Sequence, residues 1–110
     1  MMKFERSHYA DISTGHLTAK DNEILSVAAL RNINPAKSYS PLTIYPTPNG
    51  YYVKVPQDKD YQTEVFKVYK AKGLSGAFFK IMVLAAEDDC AFVRFDSDGE
   101  TYSNLESFDW

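Results

Sequence analysis

Apolar and polar positions alternate loosely from Phe4 to Ile12, the period of a first strand with one face buried. The pattern then breaks in "STGHLTAKD". Thr18 there can accept from the amide three residues on, and Asp21 at that position can reach back, a helix-start signature. Ile24, Leu25, Val27, Ala28 and Leu30 continue as a helical stripe to about Arg31, and Pro35 and Pro41 in "NINPAKSYSP" stop it. In "LTIYPTPNGYYVKV" two β-rich runs flank Thr47-Pro48-Asn49-Gly50, a hairpin in which Asn49-Gly50 suits a positive φ. Pro46 and Pro56 lack a ladder donor and belong at strand ends or on an edge.

A second helix is expected from about Asp60, with Val65, Phe66 and Tyr69 inward and Gly73 as its stop. The run "LSGAFFKIMVLAAEDDC" fits a buried strand or a helix. Its length, the Ser75 cap and the alanine pair favour a helix from Ser75 to about Asp88, although Glu87 and Asp88 stand at the unfavourable end of its dipole. Cys90–Phe95 is apolar on both faces and predicts a central strand. Asp98-Gly99 turns the chain, and "NLESFDW" is expected to return as an edge strand. Trp110 would pack against the domain, with Phe108 on the same strand face, rather than stand free as a hook for a partner. The order β-α-β-β-α-α-β-β predicts an α+β fold. We expect a small single-domain sandwich over 1–110, with a mostly antiparallel sheet of four to five strands and about three helices mainly on one face.

Composition supports a self-sufficient core, since 45% of the 110 residues are hydrophobic and 15% aromatic. Eight tyrosines suggest rings shared between core and water, or an interface. No apolar run approaches the length of a membrane span, and the N-terminal stretch lacks the features of a signal peptide. The single cysteine, Cys90 in an apolar run, reads as a buried thiol of a reducing compartment, so a cytoplasmic location is expected. Net charge is −3, but residues 1–85 carry 11 Lys/Arg against 7 Asp/Glu, whereas residues 86–110 carry Arg94 against eight acids, a local −7. That acidic quarter argues against nucleic acid as its ligand and suits a basic partner surface, the simpler reading being a solvated face.

Ser13, Thr14, His16 and Thr18 raise the question of a hydroxyl–imidazole pair. Thr14 and His16 sit two apart at a strand end, yet no nucleophile-elbow pattern accompanies them, and turn and cap duties explain the same residues. "FDSDGET" resembles part of a calcium loop and the DxDG strand end of phosphatases. It lacks the further ligands of the first, and too little chain follows Asp98 for the second. A zinc site fails with one Cys and only His8 and His16. No metal and no cofactor are expected. One geometric route to chemistry stays open: if the first and last long strands are parallel neighbours, His16 and Asp96 end on one edge of the sheet.

Three stretches, "ISTGHLT" (12–18), "GLSGAFFKIMVLA" (73–85) with "FVRFDSDGE" (92–100), and "FDW" (108–110), resemble an uncharacterised family of small bacterial proteins of plasmids and other mobile elements. The resemblance puts Ser13, Thr14, His16 and Thr18 on the first motif, Asp96 and Asp98 on the second, and Trp110 on the last. It implies a mobile-element, cytoplasmic setting and no activity. Together these readings lead to a non-enzymatic interaction protein that binds a host or element protein, in a role that includes interference with host defence. No nucleic-acid or membrane partner is expected, and a homodimer is compatible. Candidate binding residues are Ser13, Thr14, His16, Asp96, Asp98 and Trp110. The alternative is a small enzyme or ligand-binding domain on a His16/Asp96/Asp98 edge.

Overall fold

A computed structural model describes residues 8–33 and 44–109. The chain runs through β1 (His8–Ser13), a 3-10 turn (Thr14–His16), α1 (Ala19–Ile33), β2 (Ile44–Thr47), β3 (Gly50–Lys54), α2 (Lys59–Lys72), α3 (Gly76–Glu87) and β4 (Cys90–Asp96). The four strands form one mixed sheet in the order β1-β4-β3-β2, with β1 parallel to β4 and the other two pairings antiparallel. The α+β class and the three helices follow the sequence pattern.

Register explains which side of the sheet is buried. Ile12, Phe95 and Tyr51 lie in one row across it, and Ala10, Val93, Val53 and Ile44 in the next. These side chains meet Leu25 and Ala28 of α1 and Phe78, Ile81 and Met82 of α3 in a single core. Phe78 is fully buried, with its ring 5.0 Å from Tyr69 of α2 and stacked 6.1 Å from Phe95 of β4. Burying a ring of this size contributes about 1.5–3 kcal/mol, so helix–sheet packing rather than helix propensity holds α3 in place.

Local signals set the helix ends. Thr18 Oγ1 accepts from the Asp21 amide at 3.0 Å, and Asp21 Oδ2 accepts from the Thr18 amide at 3.1 Å, the reciprocal capping box at the start of α1. Gly73 ends α2 at φ 92°, and the amides of Gly73 and Leu74 donate to Lys70 and Tyr69 in the pattern of a Schellman cap. Ser75 caps α3 by accepting from the Phe78 amide at 3.2 Å.

Two expectations change. Neither Asn49 nor Gly50 has a positive φ. The β2–β3 hairpin turns on Pro48 and Asn49, and Pro second with Gly fourth is the preference of a type I turn, whose central residues both keep negative φ. Gly50 is needed for another reason: a Cβ there would lie 1.7 Å from the Phe95 carbonyl oxygen.

The edge strand expected over 104–110 is also absent from residues 104–109, and Trp110 lies outside the described residues. The chain after β4 is instead a strap pinned by single bonds. The Ser13 amide donates to Glu100 O at 2.8 Å, Tyr102 Oη to Asp11 O at 2.9 Å, and the Phe108 amide to Gly15 O at 2.8 Å. With its amides committed to a turn rather than to a neighbouring ladder, the strap does not become a fifth strand.

Candidate functional site

The parallel pairing brings the C-terminal ends of β1 and β4 side by side, with Ser13 opposite Asp96. Ser13, His16 and Asp96 there already have structural tasks. Ser13 is buried, and its Oγ accepts from the Gly15 amide at 3.1 Å, closing the 3-10 turn. His16 is 1% exposed. Its Nε2 accepts from the Tyr102 amide at 3.0 Å, so Nδ1 carries the proton and donates it to Glu106 O at 2.8 Å. The imidazole is thus neutral, in the Nδ1–H tautomer, with both nitrogens engaged by the strap. Neither is left to serve as a base or a metal ligand.

Asp96, also buried, accepts from the Asp98 amide at 2.8 Å and from Arg94 Nη2 at 3.2 Å. The Asp98 amide first, and the Arg94 guanidinium with it, hold this carboxyl below its ordinary range against the opposing effect of burial. Arg94 lies 3.8 Å from Asp11 as well, so the cation stands between two carboxylates. Asp98 is exposed in the turn that Asp96 closes. Among the described residues no side-chain hydrogen bond or ion pair joins His16 to Asp96, or Ser13 or Thr14 to His16. Nor does any described group of three or more His, Cys, Asp and Glu side chains have the arrangement to hold a metal ion. Burial, with Asp88 and Asp89 nearby, pushes the Cys90 thiol up and away from the reactive thiolate.

The sheet's other face is different. Strand alternation turns Tyr9 and Asp11 of β1, Phe92 and Arg94 of β4, Tyr52 and Lys54 of β3, and Tyr45 of β2 away from the core. The register aligns them as one row of Tyr45, Tyr52, Arg94 and Asp11, and a second of Lys54, Phe92 and Tyr9. Tyr52 meets Tyr9 edge-on at 6.1 Å and Phe92 edge-on at 6.2 Å. Tyr9 and Tyr45 nevertheless remain 52% and 48% exposed. β4 is the central strand its apolar run predicts, yet Phe92 is half-buried on this open side. Period-two reading of "YYVKV" and "FVRF", with Val53 and Val93 placed inward, carries the signal for this aromatic surface.

The family model described as "Family of unknown function (DUF5983) C-terminal domain" matches residues 9–110. The chain belongs to this family. Membership in DUF5983 takes in every element from β1 to the strap, and so covers the open sheet face and the His16 knot alike. No curated protein and no solved structure matches the chain. Among the described residues no helix is long and apolar enough to cross a membrane.

Proposed function

We propose that the protein is a non-catalytic binding module that docks a protein partner on the open face of its sheet. The observation that carries this reading is the exposure of Tyr9 and Tyr45 beside the Tyr52–Phe92 pair. Tyrosine and arginine dominate interface hot spots because they combine a large apolar area with a polar end. Here Tyr9, Tyr52 and Phe92 are ordered by their edge-to-face contacts, so docking costs them little side-chain entropy. Arg94 and Lys54 give the patch its polar rim. Chemistry at His16 is disfavoured by its two strap bonds.

In the mobile-element setting that the sequence motifs suggest, the partner is a host or element protein met in the cytoplasm, and interference with host defence is the role we favour. A basic surface on that partner would engage the acidic C-terminal quarter. The test is affinity capture from a native host with wild type and with a Tyr9→Ser/Tyr45→Ser double variant, whose exposed positions leave the fold intact. A partner held by wild type and lost by the variant supports the reading. A partner held equally by both, or turnover of a substrate that His16→Ala abolishes, overturns it.

A further inference from the structure

Between α3, the edge strand β1 and the strap lies a cavity of about 160 Å³. Its walls are apolar: Ala10 and Ile12 from β1, Ile81, Leu84 and Ala85 from α3, and Leu105 from the strap. Ile12, Ile81, Ala85 and the lining Cys90 are buried, whereas the polar lining residues Asp88, Tyr102 and Asn104 are exposed. The cavity therefore grades from carbon inside to polar groups at the solvent. Two of its lining groups register the charge around it. Burial first, then Asp88 and Asp89, push the Cys90 thiol up, and burial first, then Glu100 and Asp11, push the Tyr102 hydroxyl up. Leu84 and Ala85 also stand in the last turn of α3, where the helix dipole is negative.

We propose that this cavity binds an alkyl ammonium group, with the carbon chain against the apolar wall and the charge beside Asp88. An apolar cavity of about 150 Å³ holds a benzene, so the space suits a body of four to six carbons. Asp88 supplies the counter-charge, and the Tyr102 hydroxyl, which donates to Asp11 O at 2.9 Å, keeps a lone pair that an ammonium can use. Lys80 donates to the Asn104 carbonyl at 3.2 Å and is not among the residues that line the cavity. A carboxylate or phosphate would meet Asp88 as a like charge. A bare metal cation needs six to eight oxygens, roughly, and would gain nothing from the hydrocarbon wall. A flexible alkyl stem ending in a point charge matches both parts of the lining, and either a free amine or a lysine side chain has that form. The open aromatic face has no part in this site, so the two proposals stand or fall separately.

The test is a ¹H–¹⁵N titration of the full chain with n-pentylammonium chloride, a free amine, and with Nα-acetyl-lysine methylamide, a lysine side chain on a blocked backbone. n-Pentanol, with the same carbon chain and no charge, is the control. We expect saturable shifts at Ala10, Leu84, Cys90 and Leu105 from at least one of the cations, with a dissociation constant on the order of 1 mM, and binding of pentanol about tenfold weaker. Response to the free amine alone assigns the site to a small molecule, and response to the lysine derivative assigns it to a lysine of a partner protein. Asp88→Asn keeps the side-chain shape. It should bind the cations about tenfold more weakly and pentanol unchanged, a combination that a folding defect would not give. Pentanol bound as tightly as the cations, cation binding that Asp88→Asn retains, shifts confined to the Tyr9 and Tyr45 face, or no saturable shift from either cation would each overturn the proposal.

Discussion

One carboxylate joins the first turns of two helices far apart in the chain. Asp21 Oδ1 accepts from the Ser75 amide at 2.8 Å, and its Oδ2 accepts from the Ser75 hydroxyl at 2.6 Å. Asp21 is fully buried and also caps α1, while Ser75 caps α3. Removing the carboxylate therefore orphans several donors together. Asp21→Ala should cost about 3 kcal/mol in urea denaturation, the scale of breaking a buried hydrogen-bonded charge. Asp21→Asn should lose most of the same amount, because its NH₂ would face a donor.

The strap depends on His16 in a comparable way. In His16→Ala the Tyr102 amide and the Glu106 carbonyl lose their partner, at a cost of about 1–3 kcal/mol for each group left buried. Hydrogen exchange should show the Tyr102 and Phe108 amides losing protection well before those of β4. Unchanged protection at Tyr102 would show that the strap holds without the imidazole.

Acid stability should carry the mark of Asp96. Its folded value is depressed, so it contributes stability that is fully present above the unfolded value, near the ordinary 3.8, and is lost as pH falls through the folded value. Unfolding midpoints of wild type should therefore decline below about pH 3.8, more steeply than those of Asp96→Asn. Parallel curves for the two proteins would remove Asp96 as the cause.

A stabilising substitution is available at the end of α3. Asp89 takes φ 55° directly after the Asp88 cap, so an L-residue with a negative charge occupies a left-handed position at the negative end of a helix. Asp89→Gly removes both penalties. It should add about 1 kcal/mol, read as a rise of about 5 °C in the melting temperature.

Features legible in the sequence were those decided within one turn of chain. The Thr18–Asp21 box, the Gly73 stop and the Ser75 cap each depend on residues three or four apart, and all three form as the sequence predicts. The hairpin was legible in place but not in kind. Gly50 is required by the approach of Phe95 from another strand, which local sequence does not encode. The strap is not legible in the sequence because Phe108 and Trp110 alternate as strand residues do, while its actual anchors lie far back at Gly15 and His16. The structural role of His16 is hidden for the same reason: its two partners, Tyr102 and Glu106, lie more than eighty residues away.

The parallel pairing of β1 with β4 has a consequence for how the chain is made. β1 emerges from the ribosome before the other described elements, yet its sheet neighbour is residues 90–96, and the Glu100 and Tyr102 bonds to it come later still. Contacts so distant in sequence are slow to close, and during synthesis nothing else described in the fold completes that strand's ladder. Of the described strands, the one translated before the others is thus among the last to be secured. A chain stalled before Cys90 would present Tyr9, Ala10 and Ile12 unpaired to chaperones and proteases.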